Sequence, residues 1–425
     1  MVDLNDCFAA AAGRLTIAEA MDRFISGLDC VVAGEDVPVA KTPGRILAGD
    51  LTSSIQIPPQ NNSAVDGYLV CLDDLEVAGD SRLPVAGRIA AGHPLKTKVL
   101  PGQAYEIFTG AQVPAGQKGR RPDTIFMVEN VKVEDGYVIL PSGQTRGANL
   151  RLAGEDVKIG DTVLRAGTVL RPQDIGMAAS VGRAYLTVRQ KLRVAVFSTG
   201  DEIRNPGDAL EPGTIYDINR FTVPALLTAL GCSVTDLGIY PDSLDAIQEG
   251  LAGASENHDL ILTSGGVSKG EEDHVRRAVE NLGALHTWNL LIKPGRPIAL
   301  GHIDDAGRQV PFIGLPGNPV AVMVTFLKVA RPIVQLLSGA RDLNQNPYQI
   351  PAGFTFIKKP GRREWLRCRL EKDGAGRLCA IKYPNDGSGV LTSMVASDGL
   401  VELAEDSPGV TPGQLVDFLP FNEVM

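Results

Sequence analysis

Spacing exposes no metal-binding framework in this sequence. Its six cysteines (Cys7, Cys30, Cys71, Cys232, Cys368 and Cys379) are scattered, with no Cys-x-x-Cys pair and no histidine at ligand spacing. That pattern argues against a zinc finger or ribbon and predicts reduced thiols, the usage of a cytosolic protein. The five histidines form no His-Glu-x-x-His motif, so a zinc site is not expected. An excess of basic charge is also missing. With 41 Lys and Arg against 50 Asp and Glu the formal charge is −9, which argues against nucleic acid as the main partner. No apolar run reaches the ~18 residues of a membrane span. Asp3 and Asp6 stand where a signal peptide would carry basic charge. The expectation is a cytoplasmic protein with no membrane partner.

At 425 residues, 44% hydrophobic and 21% charged, the chain is a soluble globular one too long for a single core. Roughly two to four domains are expected. Residues 15–28 read as an amphipathic helix, with Thr16 as N-cap and Glu19 three positions on. Short β runs follow at 68–72, 84–89, 104–109, 125–128 and 137–140, the pattern of a small barrel or sandwich. A second helix is expected over 172–181, stopped by Gly182. From Lys191 strands (192–197, 234–239, 260–262, 297–300, 310–313) alternate with helices (220–230, 243–254, 273–282, 319–337). That alternation implies a parallel, doubly wound sheet binding ligands at its strand ends. Pro347 and Pro351 then precede β runs at 355–358, 364–370, 378–381, 399–403 and 415–418, a small all-β unit.

One stretch organises the rest: Asp259-Leu-Ile-Leu-Thr-Ser-Gly-Gly-Val-Ser-Lys-Gly-Glu-Glu-Asp-His274. It reads as a buried strand, a glycine and hydroxyl turn, and a helix ending at Gly283. A strand feeding a glycine turn that opens a helix aims unpaired N–H groups at one point, which suits a phosphate or another oxyanion. By itself it is more readily an ordinary loop with helix-capping acids, and only the accompanying motifs change that. Four further segments are expected at the same crevice: Ser198-Thr-Gly-Asp-Glu202, Thr214-Ile-Tyr-Asp-Ile-Asn-Arg220, Lys293-Pro-Gly-Arg-Pro297 and Gly314-Leu-Pro-Gly-Asn-Pro319. Together they supply carboxylates (Glu202, Asp217, Asp273) and cations (Lys293, Arg296). That combination suits phosphoryl or nucleotidyl chemistry with Mg²⁺.

With Asn62-Ser-Ala-Val-Asp-Gly-Tyr68, Phe108-Thr-Gly-Ala111, Val113-Pro114, Gly154-Glu-Asp156 and Gly361-Arg362 with Glu364-Trp365, these motifs run in the order of a known family. The sequence resembles the molybdopterin molybdenumtransferases, the MoeA-like molybdenum insertases related to the enzyme domain of gephyrin, over essentially its whole length. The resemblance implies a multidomain α/β and β fold. Its parts are a discontinuous mixed domain (1–50 and 149–188), an inserted β-rich domain (51–148), a central doubly wound α/β molybdopterin-binding domain (189–340) and a C-terminal β-barrel (345–425). It also implies an elongated subunit in a homodimer whose active site is shared between subunits.

The implied reaction joins adenylylated molybdopterin and molybdate to give molybdenum cofactor and AMP, with Mg²⁺. By position, Ser264, Gly265, Gly266, Val267 and Ser268, with Thr199, Gly200, Pro316 and Gly317, would bind the pterin substrate. Glu202, Asp217 and Asp273 would hold Mg²⁺ and the nucleotide end. Lys293 and Arg296 would neutralise anionic charge, and Lys293, Arg362 and Ser388 would hold molybdate. Asp66, Thr109 and Asp156 would come from the second subunit. A molybdoenzyme or cofactor-pathway protein is the implied protein partner. Two other readings stay open: a molybdopterin adenylyltransferase, against which the flanking motifs speak, and a non-catalytic pterin-binding scaffold.

The sequence departs from the family pattern at four places. Asn61 replaces an acid, Asn149-Leu-Arg-Leu-Ala153 carries one arginine where several are usual, Ala321 replaces a serine, and 117–122 reads as a basic insertion.

Overall fold

The computed structural model describes residues 4–8, 14–117, 120–266 and 274–425. Val267, Ser268 and Asp273, expected at the pterin and magnesium sites, lie outside the described residues, as do Glu271 and Glu272. The chain divides into two compact units, one of Met1–Gly49, Ala166–Arg171 and Leu186–Met425, the other of Asp50–Arg165 and Pro172–Tyr185.

The first unit is built on a six-stranded sheet. Its strands are β1 (Arg193–Thr199), β2 (Ser233–Tyr240), β3 (Leu260–Ser264), β4 (Gly283–Asn289), β6 (Pro297–Asp305) and β7 (Arg308–Leu315), and a short β5 (Ile292–Lys293) pairs elsewhere. The order is β2-β1-β3-β7-β6-β4. β1, β2, β3 and β7 pair in parallel, whereas β6 is antiparallel to both neighbours. The sheet is therefore mixed, not wholly parallel as the β/α alternation predicts. The reason is local: β6 and β7 are joined through Ala306 and Gly307, both at positive φ. A two-residue turn of that conformation makes a hairpin, and a parallel crossover needs a dozen residues or more. The helix expected to end at Gly283 stops at Leu282, directly before it, and Gly283 also opens β4. A Cβ there would lie 2.1 Å from the His302 carbonyl oxygen, so close strand approach fixes the glycine.

Four helices cover the sheet: α1 (Asn219–Ala229), α2 (Leu244–Asn257), α3 (His274–Leu282) and a long run α4 (319–337). The period of two along β1 decides which face each meets. Val194 and Val196 pack with Val223, Leu226 and Leu227 of α1 and with the apolar residues of α4. Ala195 and Phe197 pack with Ile247 and Leu251 of α2 and with Val275 and Val279 of α3. Both faces are thus buried, which explains the unbroken apolar run in β1. The α4 run is long and apolar enough to cross a membrane, but 78% of its most apolar window is buried within the protein, as in a core helix.

The helix Ile17–Gly27 starts at the expected capping box between Thr16 and Glu19. Its Phe24 stacks on Trp288 of β4 at 5.3 Å. After α4, five strands close a small barrel: β8 (Tyr348–Pro351), β9 (Arg363–Lys372), β10 (Leu378–Lys382), β11 (Gly399–Leu403) and β12 (Leu415–Pro420). The ladders run β10-β9-β11-β12-β8, and a bridge between Ala352 and Ala380 ties the last strand to the first. β5 joins β9 in parallel, with Lys293 opposite Glu364.

The second unit holds a six-stranded sheet in the order 124–127, 67–70, 104–107, 81–89, 137–140 and 132–134, beside two short two-stranded ladders. The two end strands of the six do not pair, so hydrogen bonding leaves the expected barrel open. Tyr68 and Leu69 point into separate apolar clusters, which bury both faces of the sheet.

Candidate functional site

In the sheet order the chain steps from β1 outward to β2 and then returns to β3 on the other side. The crevice at the carboxyl ends of β1 and β3 is the switch point where open α/β sheets bind ligands. Thr199 ends β1 and is followed by Gly200, and Ser264 ends β3 and is followed by Gly265 and Gly266. All three glycines have positive φ. A Cβ on Gly266 would also lie 2.9 Å from Val275 Cγ2 and 3.2 Å from Thr199 Cγ2. Gly265 N–H donates to the Leu315 carbonyl at 3.0 Å, which brings the 315–319 turn alongside. Asn219 Nδ2 donates to the Gly317 carbonyl at 2.7 Å and holds that turn from α1.

Gly265, Gly266, Pro316 and Gly317 line a cavity of about 600 Å³ together with Lys293, Arg296 and Ser388. Pro294, Gly295, Pro297, Asn318, Ala321 and Asp386 complete the wall. The structure therefore brings together the glycine turns, both cations of Lys293-Pro-Gly-Arg296 and Ser388, which is distant in sequence. Arg362 does not line the cavity, but its Nε donates to Glu364 Oε1 at 3.0 Å while Lys293 Nζ donates to Glu364 Oε2 at 3.2 Å. The loop carrying Asp386 and Ser388 is held from behind by buried Arg367, which donates to the Asn385 carbonyl at 2.9 Å and to Ser393 Oγ at 3.1 Å. Lys382 pairs with Asp386 at 2.6 Å, so the one acid in the wall among the described residues already has a cation. Ala321 presents a methyl group where the family pattern has a hydroxyl.

Two of the three expected magnesium acids, Glu202 and Asp217, are among the described residues. Asp217 is buried and accepts from Arg220 N at 3.1 Å and from Arg220 Nε at 3.2 Å, one bond to each carboxylate oxygen. Arg220 also bonds Asp236 and Asn205. Asp217 therefore orients Arg220, using one lone-pair site on each carboxylate oxygen. Glu202 is exposed and folds over Gly200, where a Cβ would lie 2.6 Å from Glu202 Oε2. Among the described residues no group of three His, Cys, Asp or Glu could hold a metal ion. Asp217→Asn is expected to lower the melting temperature by several degrees, because it leaves Arg220 with a weaker partner. Its Mg²⁺ affinity by calorimetry should equal wild type. A tenfold loss would restore Asp217 as a ligand.

In the second unit Asp66 and Thr109 meet. Asp66 Oδ1 accepts from Thr109 N at 2.7 Å and from Thr109 Oγ1 at 2.8 Å, and these bonds hold its carboxyl below the ordinary aspartate range. Asp156 is exposed on the turn after Gly154. Asn61 Oδ1 accepts from Ala153 N at 2.8 Å, a bond an aspartate would also make, so the substitution leaves this link intact.

Glu364 and Asp386 were not among the expected site residues. Glu364 stands two positions after Arg362, hence on the same side of β9, and Asp386 stands two before Ser388. Glu364 also stands in the Gly361-Arg362 and Glu364-Trp365 motif, whereas Asp386 has only its nearness to Ser388.

Three family descriptions divide the chain: MoeA N-terminal region (domain I and II) over 15–182, probable molybdopterin binding domain over 195–336, and MoeA C-terminal region (domain IV) over 349–421. The fold and cavity thus define a protein of the molybdopterin-binding class. The chain is 35% identical to a molybdopterin molybdenumtransferase of Haemophilus influenzae, over 97% of its own length and all of the relative's. It is 33% identical to molybdopterin molybdenumtransferase 2 of Mycobacterium tuberculosis, covering 89% of this chain and 92% of that one. The crystal structure of the molybdopterin biosynthesis MoeA protein of Pyrococcus horikoshii superposes with a TM-score of 0.80 at 27% identity, covering 96% of this chain and all of that one. The chain belongs to the molybdopterin molybdenumtransferase family.

Proposed function

We propose that the chain inserts molybdenum in cofactor biosynthesis, converting adenylylated molybdopterin and molybdate to molybdenum cofactor and AMP. The observation that carries this reading is the joint lining of one cavity by glycine turns and fixed cations. Open backbone at Gly265, Gly266 and Gly317 admits a phosphate close to the chain, and Lys293 and Arg296 supply positive charge beside it. Molybdate, a tetrahedral dianion, leaves water only where cations and N–H or O–H donors replace its hydration. Lys293, Ser388 and, through Glu364, Arg362 are the groups assigned to it. Thr199 and Gly200 at the end of β1 are assigned to the pterin substrate with Ser264. Family membership favours this reading over adenylyl transfer or a scaffold.

Magnesium is assigned to the phosphate end. The described residues offer it one uncommitted carboxylate, Glu202, and Mg²⁺ is commonly held by one or two carboxylates together with substrate phosphates. The set fits an ion carried in on the substrate, where it would offset phosphate charge. Asp273 keeps its assignment beside it. A cytoplasmic homodimer is proposed in which Asp66, Thr109 and Asp156 of a second copy complete the cleft, and a molybdoenzyme or pathway protein receives the product. The four-part division at 50, 149, 189 and 345 goes with that reading.

The test is AMP release from adenylylated molybdopterin with Mg²⁺, with and without molybdate. Molybdate-dependent release, lost in Asp273→Asn, is the expected result. Synthesis of the adenylate would identify an adenylyltransferase, and tight pterin binding with no turnover a scaffold.

A further inference from the structure

We propose that Glu364 is the positioning residue of the oxyanion site, the group that fixes Lys293 and Arg362 as a pair. The inference rests on the molybdate reading above and goes beyond it by naming a residue that touches no substrate. Glu364 is 2% exposed, yet its carboxylate is charged on both sides: Oε1 takes Arg362 Nε at 3.0 Å and Oε2 takes Lys293 Nζ at 3.2 Å. Lys293 and Arg362 arrive from different places in the chain, and the β5–β9 ladder sets Lys293 beside Glu364 in register. The backbone therefore brings the three residues together, and the buried carboxylate decides where the two charged heads rest.

The chemistry of the donors supports this role. Lysine has three N–H donors and arginine five, and Glu364 uses one of each. Two N–H groups on Lys293 and four on Arg362 remain for a ligand. Two unshielded cations this close would repel, and both side chains are long enough to swing into water, since Lys293 is 38% exposed and Arg362 27%. A shared carboxylate prevents that and leaves the group one net positive charge.

The test compares wild type with Glu364→Gln and Glu364→Asp. Each is assayed for molybdate-dependent AMP release, for direct molybdate binding by calorimetry, and for affinity toward adenylylated molybdopterin. A glutamine can accept from only one of the two cations, and its amide N–H₂ faces the other. The expected result is a rise of about tenfold or more in molybdate KM and Kd for Glu364→Gln, the size expected for lost hydrogen bonds to charged groups. The pterin affinity should stay within twofold of wild type. Glu364→Asp keeps the charge and should recover part of the loss. It also keeps the test open if the glutamine variant does not fold. A purely structural role for Glu364 would lower the melting temperature and weaken both substrates alike. That outcome, or a folded variant with unchanged molybdate Kd, overturns the inference. Absence of molybdate binding by wild type would instead overturn the insertase reading, and the inference with it.

Discussion

Glu402→Ala is expected to lower the unfolding free energy by about 3–5 kcal/mol, the cost of breaking a buried ion pair from one side. Glu402 Oε2 accepts from Lys328 Nζ at 3.0 Å and from Trp365 Nε1 at 2.8 Å, and Oε1 accepts from Arg363 Nη1 at 2.6 Å. Arg363 keeps a second partner, Glu405, at 2.9 Å. Among the described residues Lys328 keeps a hydrogen bond to Gln345, at 2.7 Å, and the Trp365 ring 5.5 Å away, and its side chain is 10% exposed. The stranded charge is therefore Lys328. It lies on the π-helical turn Phe326–Ala330 in the middle of α4, so the damage falls where that helix meets the barrel strands β9 and β11.

The network also sets a pH dependence of the same sign at both ends, with stability rising as pH rises through the carboxylate window and again through the lysine window. Burial raises the Glu402 pKa, but Lys328, Trp365 and Arg363 together outweigh it and the net value lies below the ordinary one. A folded value below the unfolded one contributes stability that is full above the unfolded pKa and lost as pH falls through the folded one. Lys328 moves down as well, chiefly by burial, against the pull of Glu402. For a lysine that direction makes the charge a cost at neutral pH, relieved as pH rises from the folded value toward 10.5. Urea unfolding followed by tryptophan fluorescence checks both. A loss below 1 kcal/mol for Glu402→Ala would mean that water already satisfies Lys328. The double variant Lys328→Met/Glu402→Gln should cost less than the sum of its parts.

Much of this fold can be read from the sequence, and the failures have physical causes. The capping box of the Ile17–Gly27 helix uses only local contacts, so Thr16 and Glu19 suffice to place it. The strands β1 and β3 are buried on both faces and read as apolar runs. β4 does not: Gly-Ala-Leu-His-Thr-Trp-Asn is an edge strand, mostly half-buried, and neither alternates nor stays apolar. The β6–β7 hairpin was legible in principle. Nine residues separate the expected strands at 300 and 310, too few for a crossover, and Asp305-Ala-Gly-Arg308 carries a turn glycine. The rhythm of the neighbouring β/α units hid it.

The site divides in the same way. Glycine turns announce themselves because the residue type carries the backbone demand. Charged side chains do not, since their role depends on which opposite charge folding brings near. The sequence does not show that Asp217 will carry Arg220, and Glu364 reads as one member of a motif with no role of its own until Lys293 arrives from β5.

That dependence makes Lys293 the sharpest functional test. Lys293→Ala is expected to reduce kcat/KM for molybdate by about 10²–10³-fold, roughly 3–4 kcal/mol, the range for removing a preorganised charged donor. Lys293 combines the three properties such a donor needs. It lines the cavity beside Gly265, Gly266 and Gly317, its head is fixed by Glu364 at 3.2 Å, and its backbone is held in the β5–β9 ladder. Removing it also leaves Glu364 buried with Arg362 alone, so that group falls from one net positive charge to none and attracts an incoming dianion less. Lys293→Arg should recover little, because a planar fork presents its donors differently from an ammonium. The alternative is that Lys293 serves the pterin phosphate, and the two roles separate by substrate. If the oxyanion is its ligand, molybdate KM rises while the Kd for adenylylated molybdopterin changes by less than threefold. A large loss of pterin affinity with molybdate KM unchanged would move Lys293 to the phosphate and leave Arg296 as the cavity's candidate for the oxyanion.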